Sequence, residues 1–410
     1  MNERPLRIVV LCPHFDPDTA PTGVVMTRIV RELAALGHEL HVVTALPWYR
    51  EHRIEAGWGG RLRRRERTPW GSVTRVHPFP GGDKRNLLRR ALGFAGFSAL
   101  AGLSSLPGGR VDAVIAMSPP LTMGLTGWLT HLVRRGPLVF NIQDVFPDAA
   151  VETGAITNRR VIAVARWLER ISYARSAAVT VLSDDLRENV AAKMRRPERV
   201  HVIPNFVDTA AIRPADRMTP LRAELGIGDE PVVLYAGNIG FSQSLEMVLQ
   251  AARRFPKVTF LVNGDGSAKA SLQQGAADLP NVRFGGYQPA ARVPEVLATG
   301  DIHLVPLKRG LGRVSVPSKT YSILAAGRPV LAAIDPGTEV PRMLAASGGG
   351  VSVPPDDLES FCSALQRMLD DPAATRAMGV AGRAWVEHAA SPEAVARAYE
   401  ALLRGIARRR

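Results

Sequence analysis

A lysine at the start of a short helical segment is the first residue whose type and position suggest chemistry. Residues 312–333 read GRVSVPSKTYSILAAGRPVLAA, with Pro317 just before Lys319 and Gly327 after the alanine-rich run. Proline at a helix start and glycine after its end are typical of a short helix. A lysine in the first turn is unfavourable for the helix dipole, and a bound anion offsets that cost. Lys319 is therefore a candidate for binding a phosphate group, with a solvated lysine as the alternative.

The loops that follow the predicted strands disfavour one class of nucleotide enzyme. A dehydrogenase needs G-x-G-x-x-G directly after its first strand, because the pyrophosphate of its cofactor approaches the backbone there. The loop after the first predicted strand reads CPHFDPDTAPTG, and the corresponding loop in the second half of the chain reads AGNIGFSQS. Neither has three glycines in register. We interpret DPD at 16–18 as part of a proline loop rather than a metal site, and His14 as structural.

The composition indicates a two-domain globular enzyme with an anionic partner. The chain has 410 residues, which is too long for one ordinary core. Its residues are 46% hydrophobic and 22% charged, as is typical of a soluble globular enzyme. Its net charge is +14, and residues 50–90 hold twelve Lys/Arg against four Asp/Glu. Such a concentration of positive charge suits phospholipid headgroups or polyphosphate substrates. A nucleic-acid partner is disfavoured because the segment lacks interleaved aromatic residues and any nucleic-acid motif.

Apolar runs and cysteines predict a cytoplasmic location. No apolar run reaches the ~18 residues of a membrane-spanning helix. The opening apolar stretch is too short for a secretory signal. Only Cys12 and Cys362 are present, both among apolar residues, so a disulfide framework is unexpected and a reducing compartment is favoured.

Strand and helix patterns alternate in two rounds. Predicted strands of the first round lie at 6–12, 39–45, 111–118, 137–143 and 177–183. The pattern resets near 199–214, and the second round has strands at 230–240, 258–266, 282–288, 301–307, 329–334 and 349–355. Alternating β and α elements predict doubly wound parallel sheets. We therefore predict an α/β protein with two Rossmann-like domains, at 1–205 and 206–385, and a C-terminal helix at 386–410 that packs back on the first.

The order of the motifs resembles that of the GT-B glycosyltransferases. The closest resemblance is to the retaining family 4 and its bacterial members of capsule, O-antigen and colanic-acid assembly. The matching motifs are PHFDPDTAPTG, TALPWYR, NIQDVFPDAA, VLSDDLRENV, VIPNFVD, YAGNIGFSQSLE, NGDGS, FGGYQP and VPSKTYSILAAGRPVLA. The resemblance implies two domains facing each other across a cleft, with a nucleotide sugar on the C-terminal domain and the acceptor on the N-terminal domain. It implies no metal and no cofactor.

The chain departs from the family pattern at four charged positions. The family's arginine and lysine that clamp the diphosphate correspond to Asn238 and Gln243, and its two glutamates correspond to Val314 and Ser322. We interpret the departure as a replaced clamp. Lys319 becomes the chief cation, and main-chain N–H groups around Ser318 and residues 240–242 complete an anion site.

The resemblance implies a set of site residues on each domain. The expected donor-binding residues are Asn238, Gly240, Ser242, Gln243, Gly264, Asp265, Gly266, Tyr287, Gln288, Arg313, Ser318, Lys319 and Ser322. The expected acceptor-binding residues are Thr22, Gly23, Gln143 and Asp148. Lys319 and Asp144 are the catalytic candidates, Asp144 as an acid near the developing sugar cation. Helix capping is the alternative for Asp144, because the family's usual histidine in that loop is absent.

A basic amphipathic segment suggests a membrane surface as a further partner. Residues 84–103 read KRNLLRRALGFAGFSALAGL, with arginines beside leucines and phenylalanines at helical spacing. A core helix whose arginines reach out to solvent is the alternative. We favour docking on the anionic inner face of the plasma membrane, where a polyprenyl-linked acceptor is reached.

The predicted function is transfer of a sugar from a nucleotide-sugar donor to a lipid-linked or glycoside acceptor. Two other classes stay open. A sugar-nucleotide epimerase of similar fold needs acid and base groups at positions that this chain fills with Asn, Gln and Val. The second class is a non-catalytic, membrane-bound partner protein that kept the glycosyltransferase fold.

Overall fold

The computed structural model describes residues 4–50, 53–80, 87–148, 151, 156–312 and 317–408, without the side chains of 87–91 and Ala290. The chain forms two compact units. The first comprises Met1–Asn205 together with Val395–Arg410, and the second comprises Phe206–Ala394.

The first unit is built on an eight-stranded sheet within the described residues. Its strands are β1 (Arg7–Leu11), β2 (Glu39–Ala45), β3 (Arg63–Thr68), β4 (Gly71–Val76), β5 (Ala113–Ser118), β6 (Leu138–Ile142), β7 (Ala178–Val181) and β8 (Val200–Val202). Their order is β3-β4-β2-β1-β5-β6-β7-β8. The helices are α1 (Pro21–Ala35), α2 (Leu87–Ser105), α3 (Thr122–Arg134), α4 (Arg159–Arg175) and α5 (Asp184–Ala192).

The second unit carries a six-stranded parallel sheet in the part of the chain that the structure describes. Its strands are β9 (Val232–Ala236), β10 (Thr259–Asn263), β11 (Val282–Gly285), β12 (Ile302–Pro306), β13 (Val330–Ala333) and β14 (Gly350–Val353). Their order is β11-β10-β9-β12-β13-β14. The helices are α6 (Pro220–Glu224), α7 (Leu245–Arg254), α8 (Lys269–Gly275), α9 (Val293–Thr299), α10 (Lys319–Ala325), α11 (Glu339–Ser347), α12 (Leu358–Asp370) and α13 (Pro372–Ala389).

Continuous apolar strands explain the parallel pairing. All six residues of β5 (AVIAMS) are buried, and so are the first four of β9 (VVLYA). Strands covered by helices on both faces have this composition rather than an alternating one. The predicted fold class, two Rossmann-like α/β domains, is confirmed.

One hairpin escaped the sequence-based prediction. Strand β3 (RRRERT) is mostly exposed and pairs antiparallel with β4, which itself lies parallel to β2. A charged edge strand gives no apolar signal, and charge at an edge protects against pairing with other chains. The segment 50–90 therefore holds two strands that we did not predict.

The last described helix, α14 (Pro392–Arg408), contributes to the core of the first unit. Val395, Tyr399 and Leu403 are almost fully buried, one helical turn apart. The Asn141 amide at the centre of β6 donates to the Tyr399 hydroxyl over 2.7 Å. None of the helices in the described ranges combines the length and apolar character needed to span a bilayer.

Candidate functional site

The sheet of the second unit reverses its winding direction next to β9. Strand β9 has β10 on one side and β12 on the other, so the loops after β9 and β12 leave the sheet as neighbours. The Lys308 N–H donates to the Ser242 carbonyl over 2.9 Å and joins the two loops. In open α/β sheets, ligands bind beyond the carboxyl ends of the strands at this reversal.

The loops after β9 and β10 are packed backbone to backbone. The Gly237 N–H donates to the Asn263 carbonyl, and the Ile239 N–H donates to the Asp265 carbonyl over 2.8 Å. A Cβ atom at Gly264 would lie only 1.9 Å from the Gly237 carbonyl oxygen, and the φ of Gly264 is +147°. Only glycine fits such a position. The predicted donor residue Gly264 therefore shapes the floor of the site.

The amine of Lys319 lies against the loop after β9. Its Nζ is 3.8 Å from the centroid of the Tyr235 ring. A Cβ atom placed on Gly237 would be 3.2 Å from this nitrogen, so the amine contacts the glycine closely. Lys319 is the first residue of α10 and is partly buried. The structure thus brings the lysine to the reversal point of the sheet.

The electrostatics of Lys319 are unusual because it lacks a counter-ion. Burial lowers the pKa of Lys319 to about 7. Among the described residues, no carboxylate pairs with it and no acceptor forms a hydrogen bond with Nζ. The four preceding residues outside the described ranges, RVSV, contain no acid either. A buried amine whose charge is uncompensated suits an anionic ligand.

Part of the predicted main-chain anion site is already occupied. The Gly240 N–H donates to the side-chain oxygen of Gln243 over 2.9 Å. In the first turn of α10, the Thr320 N–H donates to the Pro317 carbonyl over 3.0 Å. The expectation that residue 240 offers a free donor is wrong in this structure. Gln243 instead fixes the loop, which the sequence did not indicate.

The other predicted donor-binding residues differ in solvent exposure and in whether their side chains already form hydrogen bonds within the protein. Asn238, Ser242, Asp265 and Ser318 are exposed, Ser322 is half-buried on α10, and the Tyr287 side chain is 80% exposed. Asp265 accepts from the N–H of Gly266, and Gln288 accepts from Arg292 over 3.2 Å. Arg313 lies outside the described residues. The roles of all these residues remain predictions.

The first unit has its own reversal point between β1 and β5, and Gly23 lies there. A Cβ atom at Gly23 would be 2.8 Å from the His14 Cβ, so the start of α1 packs directly on the loop after β1. Thr22 precedes it and is half-buried. Glycine at 23 is thus explained by close packing, and the predicted acceptor role of both residues remains a prediction.

A histidine–aspartate pair in the same loop was missed as a functional candidate. The Nδ1–H of His14 donates to the buried Asp18 carboxylate over 2.7 Å. The Tyr49 N–H donates to the other carboxylate oxygen over 3.2 Å, and the Trp48 ring stacks on the imidazole. Nε2 makes no hydrogen bond with the described residues. The H-x-D-x-D spacing in PHFDPD was the available signal.

Gln143 and Asp144 follow β6 but differ in environment. Gln143 is buried and donates to the Asn141 side chain over 2.8 Å, which continues to Tyr399 of α14. Asp144 is exposed, although desolvation of its carboxyl raises its pKa. Its side chain has no partner among the described residues.

Asp148 belongs to an ion-pair network. Its carboxylate accepts from Lys193 Nζ over 2.6 Å, and the same amine contacts the buried Glu169 over 2.8 Å. Burial by itself raises the pKa of Asp148, but the hydrogen bonds from Lys193 and Asn189 lower it overall. This network gives Asp148 a structural role, while its acceptor role remains a prediction.

Comparisons with known proteins agree with this arrangement. A family model described as a glycosyl transferase 4-like domain matches residues 22–205, and one described as glycosyl transferases group 1 matches 230–371. The putative colanic acid biosynthesis glycosyl transferase WcaI of Escherichia coli (strain K12) is 28% identical over 379 residues, covering 89% of this chain and 92% of that protein.

Two solved structures share the fold. Sucrose-phosphate synthase from Thermosynechococcus elongatus has a TM-score of 0.68 at 18% identity, covering 98% of this chain and 99% of that one. Anabaena HepE in complex with UDP and glucose has a TM-score of 0.64 at 15% identity, covering 98% of this chain and 100% of that one. The likeness to these two structures shows that the chain shares their two-sheet fold.

Proposed function

The chain belongs to the GT-B glycosyltransferases of family 4, and on that basis we propose that it transfers a sugar, with retention of anomeric configuration, from a nucleotide-sugar donor. The acceptor is a lipid-linked or small glycoside of cell-surface polysaccharide or glycoconjugate assembly. The observation that carries the proposal is the partly buried amine of Lys319 at the reversal point of the second sheet, which has no ion-pair partner among the described residues.

Lys319 acts on the leaving group. The bond between the anomeric carbon and the phosphate oxygen breaks, and its electrons stay on the nucleotide diphosphate. The acceptor hydroxyl oxygen forms the new bond, and its proton passes to the departing phosphate oxygen. Because the negative charge on the diphosphate grows during this step, a cation held in place beside it stabilises the transition state more than the ground state. A partly desolvated amine does so more strongly than a solvated one. No metal ion takes part in the proposed step.

The loops after β9, β10 and β11 hold the rest of the donor. The glycine-shaped floor at 264–266 lets the nucleotide approach the backbone, and Tyr287 offers an exposed aromatic face to a base. Ser322, on the same helix as Lys319, is the proposed contact for the ribose. HepE was solved with UDP and glucose, so a uridine nucleotide is the first donor to test.

The first unit binds the acceptor in this proposal. Its reversal point presents Gly23, Thr22 and the Nε2 of His14, whose orientation is fixed by Asp18. A neutral imidazole nitrogen accepts a hydrogen bond from a sugar hydroxyl. Asp144 follows the neighbouring strand and stays a candidate for contact with the sugar that carries developing positive charge.

The acceptor is proposed to be reached at the inner face of the plasma membrane. The relative WcaI is named for colanic acid biosynthesis, and residues 50–90 of this chain carry a surplus of eight positive charges, twelve against four. Anionic phospholipid attracts such a segment. A cytoplasmic protein bound peripherally to this surface meets both its soluble donor and its lipid-linked acceptor.

A thermal-shift and calorimetric screen against UDP, GDP and dTDP tests the donor part. A nucleotide that binds only the native state raises the melting temperature. We expect one of the three to do so in the wild type and to lose most of its effect in Lys319→Met. If none binds, the non-catalytic alternative replaces the proposal. If the bound nucleotide sugar incorporates deuterium from heavy water without acceptor, the epimerase replaces it.

A further inference from the structure

The solvent side of helix α2 carries no charge over four turns. Residues 92–106 contain no Asp, Glu, Lys or Arg. The exposed positions Leu92, Ala95, Ala99 and Leu103 recur at helical spacing and form one stripe, with both leucines more than 60% exposed. A helix on the surface of a soluble domain normally carries polar residues on this side. The stripe therefore calls for a partner.

Helix α3 lies beside α2 and also has an uncharged, apolar solvent side. Its outer residues Leu129, Leu132 and Val133 are 42–54% exposed, and the sequence 121–133 has no acid, lysine or arginine. The two helices are joined on their inner sides, where the Thr126 hydroxyl donates to the Ser98 carbonyl over 3.1 Å. Their two apolar stripes are thus neighbours.

Helix α4 borders α3 and combines apolar with basic residues. Val161, Val164 and Trp167 are 44–58% exposed. Five arginines of this helix are exposed as well, at positions 159, 160, 166, 170 and 175. The Arg175 guanidinium lies 4.5 Å from the ring centroid of Trp128 on α3, which fixes the contact between these helices. A groove of about 470 Å³ opens beside Trp167, between Arg166 and Arg170.

Acidic residues do not balance these arginines. Glu169 is the only acid of α4, and it is buried, where it accepts from Lys193 and from the Tyr173 hydroxyl. The outer sides of α2, α3 and α4 thus form one surface with an uncharged apolar centre and an arginine border. We call it the docking face. Eight large apolar side chains on one surface are unfavourable in water and mark an interaction site.

We infer that the docking face lies on an anionic lipid bilayer. Its leucines, valines and Trp167 enter the boundary between headgroups and acyl chains, and the arginines of α4 bind lipid phosphates. The charge of the border favours this occupant. Its five exposed arginines outnumber the described acids nearby, since Glu169 is buried and Asp148, which lies near Arg166, is already paired with Lys193. The arginines therefore complement phosphate, while the centre complements acyl chains. The inference rests on the membrane part of the proposed function and deepens it, because it extends the contact from segment 84–103 to three adjacent helices.

Vesicle co-sedimentation tests the inference without catalysis. We expect the wild-type chain to bind vesicles of phosphatidylcholine with 30% phosphatidylglycerol and to bind pure phosphatidylcholine far less. The variant Arg166→Gln/Arg170→Gln should weaken binding by about fivefold per arginine. The variant Leu132→Ser/Val164→Ser/Trp167→Ser should lose at least about tenfold, because three apolar side chains no longer enter the interface. The control variant Val380→Ser/Arg376→Gln changes exposed residues of α13 in the second unit and should bind as the wild type does.

Two kinds of outcome overturn the inference. The lipid contact is refuted if the wild-type protein does not bind anionic vesicles. It is also refuted if the docking-face variants bind them as the wild type does. If ultracentrifugation shows a wild-type dimer that the triple variant abolishes, with no vesicle binding, a second copy covers the face. Circular dichroism and the melting temperature confirm that the variants are folded. Vesicle binding without nucleotide binding keeps the docking face and refutes the proposed transfer, and the reverse result refutes only the docking face.

Discussion

Nucleotide binding should depend on pH through the amine of Lys319. Burial beside Tyr235 and Gly237 lowers its pKa from 10.5 to about 7. This difference corresponds to about 5 kcal/mol in favour of the neutral amine, at ~1.4 kcal/mol per unit. The Tyr235 ring, which faces the ammonium, offsets about 0.5–2 kcal/mol of it. In the protein without nucleotide, the charge on Lys319 is therefore only partly formed near neutral pH.

A bound diphosphate changes that balance. An adjacent anion favours the ammonium, so the pKa of Lys319 is higher in the complex, and binding takes up a proton at any pH between the two values. Above pH 7 we expect the Kd for UDP to rise with pH, with a limiting slope of about tenfold per unit. In Lys319→Met the Kd should be larger at pH 7 and should no longer follow this slope.

Isothermal titration with UDP between pH 6.5 and 9 measures this dependence. Lys257→Met replaces an exposed lysine of the same unit and serves as the matched control, because it shares any titration of the ligand itself. A wild-type profile as shallow as that of Lys319→Met would refute the reasoning. So would a Lys319→Met protein that binds UDP as tightly as the control at pH 7.

The same amine should lower the stability of the protein in the absence of nucleotide. The pKa of Lys319 is lower in the native state than in the unfolded chain, so the native state binds fewer protons between about pH 7 and 10.5. Wild-type stability relative to Lys319→Met should rise with pH across that window. Below pH 7 the full penalty remains, and the variant should be more stable by up to about 3–4 kcal/mol. Urea unfolding at pH 6 and pH 9 checks the sign, and a wild type that is more stable than the variant at pH 6 contradicts it.

Three further substitutions probe other parts of the two units. Gly264→Ala should lower the free energy of unfolding by more than about 3 kcal/mol and abolish nucleotide binding, since the new Cβ meets the Gly237 carbonyl oxygen. The control Gly226→Ala is also at positive φ but in open space, and it should lower the free energy of unfolding by only about 1 kcal/mol. His14→Asn should lower kcat by about a hundredfold while leaving UDP affinity unchanged, because the pair with Asp18 acts on the acceptor side; an unchanged kcat makes the histidine structural. Tyr399→Phe should cost about 1–2 kcal/mol in urea unfolding, by removing the acceptor of a buried amide, without changing kcat.

The sequence predicted the strands that are uninterrupted apolar runs and missed β3, β4 and β8, although β4 is buried. Strands such as β5 and β9 are uninterrupted apolar runs, and burial of both faces requires that composition. Strand β3 is held by backbone pairing with β4 at a charged edge, and no apolar pattern marks it.

The candidate site was predictable where one local segment determines it. The Pro-Ser-Lys segment pointed to Lys319 because a lysine at a helix start needs a reason. The contact of its amine with Tyr235 depends on two strands that are neighbours only in the folded sheet. Likewise, the sequence indicates only that Asp148 is a polar loop residue. The fold shows that Lys193, on a later segment, forms an ion pair with it.

The return of α14 to the first unit makes that unit discontinuous in sequence. A fragment ending at Asn205 lacks the helix whose Val395, Tyr399 and Leu403 complete its own core, and it leaves Asn141 without one of its partners. The second unit, Phe206–Ala394, is a continuous stretch. Expression of separate halves should therefore join residues 395–410 to the first fragment through a linker, whereas the second can be produced by simple truncation.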